Sequence, residues 1–316
     1  MKKELVNEVV NCLPQERTIF RYFKGRYAFM LLNNVIGSGV SVSQLKKSSF
    51  SGLLEKPEIK EALAIASDGR VTPRLLESVW PGETLNFILT VGTWGSNCHR
   101  WDQTSRRGYN LVLQMNFSNH HDCRYKAMVK PKIDQFLNYF AHPVLWPDER
   151  DYFRETLSWA RIDLDFESDT ALIEEIQSDW IRRAKRLSKL ARNRKKYNRE
   201  HIAFTNANGK MDDIIHYCEN VLDPYYKIWD EAMLAATIEF IRIELGISNI
   251  YYHSVKTGPK VKSIKYTKPP VSIYSKLPRR FCFNKTDSAP EFLYSDRYFR
   301  KIYNKVQDPE WYHMKI

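Results

Sequence analysis

The hydrophobic periodicity of this chain changes near residue 84, and that change most constrains the fold. Before it, apolar residues recur at helical spacing, as in residues 17–36 and 43–66. After it, they alternate with polar residues in four segments, which are residues 85–91, 110–117, 161–166 and 172–180. A period of 3.6 is typical of an amphipathic helix, and a period of two is typical of a strand. The sequence therefore predicts an α+β fold, in which a helical N-terminal layer precedes a mostly antiparallel, split sheet with inserted helices.

The same change divides the chain into two predicted parts. Residues 1–82 form a helical N-terminal region, and residues 83–316 form an α+β catalytic domain that carries a basic helix over residues 181–199. With 316 residues, of which 43% are hydrophobic, the chain can bury a sizeable core in one large domain or two modest ones. Charged residues make up 27%, which is ordinary for a globular protein and excludes global disorder.

The cysteines and the apolar runs indicate the compartment. The five cysteines are odd in number, lie far apart and include no Cys-x-x-Cys pair, which argues for a reducing compartment and against a zinc ribbon. No apolar run approaches the roughly 20 residues of a membrane span. The first residues contain an acid and soon turn polar, unlike a signal peptide. We therefore expect a soluble, cytoplasmic protein without a membrane partner.

Most of the net positive charge lies in one short segment. Residues 182–199 hold ten Lys or Arg and no acid, so that of the net charge of +12 only +2 remains for the rest of the chain. A concentrated basic segment is the footprint of a polyanion-binding protein. We therefore predict nucleic acid as the partner, with RNA favoured, and a solvated helix face is the alternative. The predicted nucleic-acid-binding residues are Arg182, Arg183, Lys185, Arg186, Lys189 and Arg192.

The third and fourth predicted strands carry the strongest signal for chemistry. Their polar faces hold Arg161, Asp163 and Asp165 in the third strand and Glu175, Gln177 and Asp179 in the fourth. One hairpin register sets Asp163 opposite Glu175, and it also sets Arg161 opposite Gln177. Facing carboxylates repel, which raises one pKa or requires a cation. Because Gln114 and Asn116 form a similar face on a neighbouring strand, we predict a polar cleft; an exposed, salt-bridged hairpin is the alternative.

The fourth predicted strand also contains a family signature. Residues 173–180 read IEEIQSDW and resemble the signature of a family found in large phage polyvalent proteins, in which the motif follows a strand bearing an arginine, as Arg161 does here. The resemblance spans roughly residues 150–285. It includes a later helix that begins near a tryptophan, here Trp229, and a strand led by a glycine, here Gly246. It marks a family and implies no particular activity.

A looser resemblance concerns the order of the elements. A helical front, a split antiparallel sheet and a Glu/Gln pair two residues apart resemble ADP-ribosyltransferases, including the toxins of toxin–antitoxin–chaperone phage-defence systems, which act on messenger RNA. The resemblance implies NAD as a substrate, transfer of ADP-ribose to nucleic acid, and an antitoxin or chaperone as a protein partner. Two features depart from it: Glu175 precedes Gln177, the reverse of the usual order, and no clear Ser-Thr-Ser strand is present.

This resemblance implies a role for each polar residue. Cleavage of the nicotinamide glycosidic bond builds positive charge on the ribose, which a carboxylate bound to the ribose hydroxyl stabilises. We assign that carboxylate to Glu175 and the orientation of the acceptor to Gln177, and Asp163 on the same face completes the catalytic set. The residues predicted to bind NAD are Arg161, Arg106 and Arg107 at the diphosphate and Tyr109 or Trp94 at the nicotinamide. We expect Glu175→Gln to abolish activity with little change in stability.

Two other functions stay open at this point. A metal-dependent nuclease would hold Mg²⁺ with clustered carboxylates, because hard cations prefer oxygen ligands. Its ligands would be Asp163, Asp165, Glu175 and Asp179. A non-enzymatic nucleic-acid-binding module would need only the basic helix. A chelator separates the two enzymes, and transfer of label from NAD to RNA, DNA or protein separates a transferase from a binding module.

Overall fold

The computed structural model is built around one large β-sheet. It describes residues 1–13, 18–66, 68–80, 83–96, 102–147, 153–197, 206–264 and 270–316. The strands are β1 (Thr18–Tyr22), β2 (Val40–Ser41), β3 (Arg70–Val71), β4 (Leu85–Ser96), β5 (Gly108–Asn116), β6 (Thr156–Asp165), β7 (Thr170–Gln177), β8 (Asn249–His253), β9 (Asn284–Thr286) and β10 (Trp311–Lys315).

Helices alternate with these strands along the chain. The α-helices are α1 (Lys3–Cys12), α2 (Arg26–Ile36), α3 (Val42–Leu45), α4 (Pro57–Ile65), α5 (Pro73–Ser78), α6 (Asn119–Val129), α7 (Asp179–Lys195), α8 (Met211–His216), α9 (Asp223–Tyr226), α10 (Trp229–Glu239), α11 (Gly258–Val261), α12 (Leu277–Arg280) and α13 (Arg297–Tyr303). Shorter helical segments of the 3₁₀ type are Ser51–Glu55 and Glu291–Ser295, and those of the π type are Tyr217–Val221, Phe240–Glu244 and Ser272–Lys276.

The large sheet has eight strands in the order β1-β4-β5-β6-β7-β8-β10-β9, and β2 pairs with β3 separately. Its neighbouring strands are antiparallel except β7 and β8, which are parallel. A parallel pair requires a crossover connection, and α7, α8, α9 and α10 lie in this one. A mixed α/β fold with a mostly antiparallel sheet is therefore confirmed, whereas the assignment to an ADP-ribosyltransferase-like fold stays a prediction.

Part of the N-terminal region predicted to be helical is a strand of the large sheet. The helix predicted from residue 17 begins instead at Arg26, after Gly25 in the left-handed conformation (φ 87°). The preceding residues form β1, where Phe20 lies opposite Phe87 of β4. Aromatic and β-branched side chains favour this extended conformation once a neighbouring strand is available to pair with them. The N-terminal layer is thus mixed, because tertiary pairing outweighs the local helical pattern.

The basic helix begins earlier in the chain than predicted. Strand β7 ends at Gln177, and Ser178 caps α7 by accepting a hydrogen bond from the Ile181 backbone N–H at 3.2 Å. Serine at this position satisfies one of the unpaired N–H groups of the first helical turn. The prediction that the fourth strand continues to Trp180 is therefore wrong. Helix α7 ends at Lys195, residues 196 and 197 form a turn, and residues 198 and 199 of the predicted helix lie outside the described residues.

The core lies on the face of the sheet that packs against helices. Ile162 and Leu164 of β6 and Ile173 of β7 are completely buried on this face, where α10 contacts both strands. Residues 231–238 of α10 are all buried, as expected for a helix at the centre of a large core. None of the described helices is both long enough and apolar enough to cross a membrane.

Candidate functional site

The pairing of β6 with β7 differs from the predicted hairpin. Arg161 lies opposite Glu175, not opposite Gln177. The register shifts directly after Arg161, so that Glu174 is an extra residue in a β-bulge. The predicted register, with Asp163 opposite Glu175, is therefore wrong. A short turn pairs Asp165 with Thr170, which sets Asp163 opposite Leu172, and the extra residue shifts the pairing by one more position. A cation faces the glutamate, where the sequence predicted a second carboxylate.

Most of the predicted polar cleft is closed. The buried polar residues on this face of the sheet include Thr90, Asn110, Gln114, Asn116, Arg161, Asp163 and Glu174. Two irregular segments cover them: Arg161 Nη1 donates to the Asp102 carbonyl at 2.7 Å, and Gln114 Nε2 donates to the Pro143 carbonyl at 3.1 Å. The prediction of an open polar cleft is therefore wrong for most of this face. Glu175 and Gln177 are half-buried and keep contact with solvent.

Ser105, Glu174 and His253 form a fully buried polar cluster beneath this surface. Ser105 Oγ and His253 Nε2 both lie within hydrogen-bonding distance of Glu174 Oε2, at 2.9 and 3.0 Å, and all three residues are 0% exposed. A catalytic triad places the acid and the serine on opposite ring nitrogens. Here both contact Nε2, and His253 Nδ1 has no hydrogen-bond partner among the described residues. The cluster is therefore structural, although its residue types are those of a hydrolase.

The charge state of this cluster follows from its contacts. Burial raises the pKa of Glu174, but the hydrogen bond and charge of His253, together with Lys262, outweigh burial and lower that pKa to about 2. Lys262 Nζ is itself buried and donates to the Glu174 carbonyl at 2.8 Å. Glu174 is therefore a carboxylate at neutral pH, held by β8 and by the segment that follows it.

Glu175 and Arg161 form the ion pair nearest to solvent on this face. Arg161 is 1% exposed, whereas the Glu175 side chain is 18% exposed. Burial raises the pKa of Glu175, but the charges of Arg161 and Lys262 outweigh it and lower the pKa. The Arg161 guanidinium also lies 5.3 Å from the centre of the Trp94 ring. Predicted residues Trp94, Arg161 and Glu175 are thus brought together.

Asp163 and Arg106 form a second ion pair, separate from the first. Arg106 Nε and Nη2 donate to the two Asp163 carboxylate oxygens at 2.7 and 2.9 Å, and Asp163 is completely buried. Burial lowers the pKa of Arg106, but the charge of Asp163 outweighs it, so that the pKa is raised. This bidentate geometry occupies both partners. The two side chains bind each other, whereas Glu175 pairs with Arg161.

Arg107 and Tyr109 lie away from Glu175. The Arg107 backbone N–H donates to Asp296 at 3.2 Å, and its guanidinium lies 5.9 Å from the centre of the Tyr298 ring. Tyr109 precedes Asn110, which pairs with Trp94, so strand alternation places Tyr109 on the opposite face of the sheet. The structure therefore does not bring these two predicted NAD-binding residues to the others.

A hydrogen-bonded chain of polar side chains lies at the end of β7. Gln177 Nε2 donates to Asp179 Oδ1 at 2.8 Å, and His142 Nδ1 lies 2.5 Å from Asp179 Oδ2. Arg182, 46% exposed, also pairs with Asp179. Burial raises the pKa of Asp179, but the hydrogen bond and charge of His142 and the charge of Arg182 lower it. An ionised Asp179 accepts only, so His142 Nδ1 carries the proton in this contact.

Three tryptophans stand beside these polar groups. Trp94, Trp146 and Trp159 pack with Val112 and Val144 in a small apolar cluster on the same face of the sheet. The His142 and Trp159 rings lie 5.5 Å apart. We call the group formed by Glu175, Gln177, His142, Trp94, Trp146 and Trp159 the Glu175 site. It combines one carboxylate, one amide and one imidazole with flat apolar walls.

Sequence reasoning misses several members of this site. Trp159 lies two residues before Arg161, so the period of two already places both on one strand face. His142 and Trp146 belong to an irregular segment in which no periodic pattern indicates a direction. Glu174 was expected on the apolar face, and the bulge turns it to the polar one. A bulge depends on pairing between strands, which a single sequence does not show.

The four acids of the predicted nuclease do not converge. Asp163 pairs with Arg106, Glu175 pairs with Arg161, and Asp165 accepts from Ser168 Oγ at 2.6 Å in the turn after β6. Among the residues that the structure describes, no three His, Cys, Asp or Glu side chains come together as metal ligands. Because arginines pair with three of these carboxylates, Asp179 with Arg182 among them, the geometry disfavours a clustered-carboxylate site.

Helix α7 presents an exposed row of cations. The exposed predicted residues are Arg182, Lys185, Arg186, Lys189 and Arg192. Arg183 differs, because it is half-buried, donates to the Asn138 carbonyl and lies 5.5 Å from the centre of the Tyr139 ring. Arg192 pairs with Glu219, and the Lys185 ammonium lies 5.1 Å from the centre of the Tyr226 ring. Helix α7 therefore has a cationic surface, and Glu219 neutralises part of its charge.

The comparisons with known proteins reveal no relative. No protein-family model, no curated protein and no solved structure matches the chain. The resemblance of residues 173–180 to the phage polyvalent-protein signature and the looser resemblance to ADP-ribosyltransferases accordingly stay predictions.

Proposed function

We propose that the chain is an intracellular, toxin-like ADP-ribosyltransferase that transfers ADP-ribose from NAD to nucleic acid, with RNA favoured. The meeting of Glu175, Gln177 and Trp94 at one partly exposed place carries this proposal. A carboxylate that stabilises a ribosyl cation, an amide and a flat aromatic wall are groups that such a transfer uses. Phage defence, with an antitoxin or chaperone as partner, is the biological role that fits this activity.

The proposed reaction breaks one glycosidic bond and forms another. The bond between the nicotinamide nitrogen and ribose C1′ breaks, and nicotinamide leaves with the electron pair. Glu175 stabilises the positive charge that develops on the ribose, for which its lowered pKa keeps it ionised. An oxygen or nitrogen of the acceptor then bonds to C1′ and loses its proton. Gln177 orients that acceptor, and His142, whose Nδ1 lies 3.1 Å from Gln177 Nε2, is the nearby base. Because Nδ1 donates to Asp179, Nε2 is the ring nitrogen left to receive the proton.

Arg182 is the cation that we assign to the diphosphate of NAD. The guanidinium groups of Arg161 and Arg106 are already bound to carboxylates and backbone carbonyls within the sheet face. Arg182 is 46% exposed and reaches the Glu175 site through Asp179. A guanidinium binds two phosphate oxygens at once, so a partly exposed arginine at the rim suits a diphosphate.

The position of α7 supports a polyanionic acceptor. The helix begins at Asp179, two residues after Gln177, so its first exposed cation stands at the rim of the Glu175 site. Arg186 and Lys189 continue this row along the helix. Phosphate contacts position a nucleic acid without reading its sequence. A nucleic-acid strand that binds along α7 therefore reaches the carboxylate of Glu175.

The test uses NAD labelled in the adenylate phosphate. We expect the chain to transfer label to RNA and to release nicotinamide in equal amount. A chelator should not reduce this transfer. Glu175→Gln should abolish transfer, because the neutral amide no longer stabilises the ribosyl cation. Arg182→Gln should raise the KM for NAD more than it lowers kcat. Glu167→Gln is the matched control, since Glu167 is an exposed residue in the turn of the same hairpin.

Three results contradict the proposal. Full transfer by Glu175→Gln removes the catalytic assignment. Loss of activity on RNA with chelator, together with cleavage of RNA when Mg²⁺ is present, identifies a nuclease. RNA binding without transfer to RNA, DNA or protein identifies the second candidate function, a non-enzymatic nucleic-acid-binding module, which the exposed cations of α7 favour.

A further inference from the structure

A cavity of about 340 Å³ lies between the edge strand β1 and the end of α10. Its lining includes Phe20 of β1, Leu89 of β4, Leu113 of β5 and Phe240 after α10. Val112 lies opposite Arg161 on the face that carries the Glu175 site. Leu113 is the next residue of β5, so its side chain points to the other face of the sheet. We call this space the β1 cavity. It is separate from the Glu175 site and shares no lining residue with it.

The size and walls of the β1 cavity are those of a small-molecule site. Ligand pockets generally enclose roughly 300–1,000 Å³, with mostly apolar walls and few polar groups. Two large apolar side chains at this cavity, Ile19 and Ile243, are exposed by 62% and 61%. Ile243 belongs to the π-helical segment Phe240–Glu244, and such segments are frequent at functional sites.

Two buried polar atoms at the wall of this cavity lack hydrogen-bond partners among the described residues. Arg26 Nε and Glu239 Oε2 are both buried atoms without a hydrogen bond to any described residue. They belong to an ion pair, since Arg26 Nη2 lies 3.6 Å from Glu239 Oε2. The Arg26 guanidinium is fixed over the Phe20 ring, 4.7 Å from its centre, and near Trp80 at 5.4 Å. One donor atom and one acceptor atom are thus left without a hydrogen bond at the wall of the cavity.

We propose that the β1 cavity binds a small neutral amphiphile, whose apolar body fills the space and whose carboxamide or hydroxyl end meets Arg26 and Glu239. The polar end accepts a hydrogen bond from Arg26 Nε and donates one to Glu239 Oε2. The ligand is neutral because the charges of the lining balance: Arg26 pairs with Glu239, and Arg21 and Glu244 add one charge of each sign. A carboxylate ligand would be repelled by Glu239, an ammonium would be repelled by Arg26, and either would lose its hydration on entry.

The test compares three probes with the same apolar chain: octanamide, octanoate and octylamine. Binding is measured by calorimetric titration, and the midpoint of thermal unfolding is followed for each probe. We expect octanamide to bind saturably and to raise the midpoint, because a ligand that binds the native state stabilises it. The two charged probes should bind at least about tenfold more weakly.

Variants at the polar pair test the assignment of charge. Glu239→Gln leaves Arg26 without its counter-charge, so the preference should change from octanamide to octanoate. Glu244→Gln is the matched control, because Glu244 also lines the cavity but makes no ion pair with Arg26. It removes the same charge and should keep the preference for octanamide. Ala236→Leu, which places a larger side chain into the cavity wall, should weaken all three probes.

Several outcomes overturn the proposal. Octanoate binding as tightly as octanamide to the unchanged chain removes the neutral-ligand assignment. Octanamide binding that survives both Ala236→Leu and Glu239→Gln without change shows that it binds elsewhere. No saturable binding of any probe to the folded chain removes the site. Transfer of ADP-ribose is not measured in these experiments, so they succeed or fail independently of the Glu175 site.

Discussion

Glu175 is held by a buried partner, and this changes the expected effect of replacing it. The sequence led us to expect little change in stability, because the side chain was taken to face other acids. In the structure Glu175 balances Arg161, which is 1% exposed. Glu175→Gln leaves that buried guanidinium without its full counter-charge and should lower the free energy of unfolding by about 1–3 kcal/mol. Urea unfolding of both proteins measures the difference, and equal stabilities would contradict the pairing.

The two faces of β7 should respond differently to truncation. Ile176 is 3% exposed on the apolar face, whereas Gln177 is half-buried at the rim of the Glu175 site. Ile176→Ala should cost about 2–5 kcal/mol, because it removes buried methyl groups and leaves a cavity. Gln177→Ala should cost less than about 1 kcal/mol, since solvent replaces much of its hydrogen bonding. A larger cost for Gln177 in chemical denaturation would mean that the faces are reversed.

The sequence predicts single-residue placement well where strand alternation is undisturbed. Trp94, Arg161, Glu175 and Gln177 were expected to act together, and the structure brings them to one place. The rule fails at Glu174, because the bulge inserts one residue there. It also gives no information on which charges find partners. Ion pairing depends on segments distant in the chain, which periodicity does not relate.

At the scale of elements, the exposed cations of α7 give a salt-dependent prediction. Arg186 and Lys189 are exposed, and each phosphate contact on a single strand contributes a slope of about −0.7 to log K against log[salt]. Replacing both by Gln should flatten the slope by about 1.4, through the loss of two contacts. Binding should weaken similarly on unrelated RNA sequences, because phosphates carry no base information. Titration of labelled RNA at several salt concentrations measures this slope.

The control for this prediction is Arg192, whose guanidinium already pairs with Glu219. Arg192→Gln removes the same charge, yet it should flatten the slope less than either replacement in the exposed pair. Arg183 should contribute little for a similar reason, since it donates to the Asn138 carbonyl. An unchanged slope in the Arg186/Lys189 double variant would identify α7 as a solvated face or a surface for a protein partner.

The sequence predicts the type of most long elements but not their ends or all of their partners. Strands β4, β5, β6 and β7 were expected from their period of two, and the basic helix was expected from its composition. The segment that forms β1 was read as helix, because Ile19, Phe20 and Phe23 also fit a helical spacing. Only pairing with β4 decides between the two conformations, and pairing across the sheet is a tertiary effect.

At the scale of the whole molecule, acid should unfold the chain partly through Glu174. Its pKa falls from the usual 4.5 to about 2 in the folded chain, so its contribution to stability is fully present above the pKa of the unfolded chain. That contribution is lost as the pH falls from about 5 toward 2. Glu174→Gln should lower stability at pH 7 and flatten the dependence between these limits. Denaturant unfolding across the pH range measures both effects.

Glu155 provides a contrast of opposite sign. Burial, with the neighbouring charge of Asp122, raises the pKa of Glu155 well above its usual value. Its contribution is present below the unfolded pKa and is lost as the pH rises through the folded pKa. Glu155→Gln should therefore raise the free energy of unfolding at alkaline pH. It should not change the loss of stability between about pH 5 and pH 2 that is assigned to Glu174. The assignment of that acid-dependent loss to Glu174 would be contradicted if the loss disappeared in Glu155→Gln or persisted in Glu174→Gln.

The parallel pairing of β7 with β8 sets an order for assembly during translation. Antiparallel strands β4 to β7 can pair as soon as they leave the ribosome, because their connections are comparatively local. Strand β8 follows only after residues 178–248, and closing so long a connection delays it further. Until then β7 is an open edge of a nascent sheet. Its adjacent Glu174 and Glu175 place two acids on that edge, and charges on a strand edge hinder pairing with other chains.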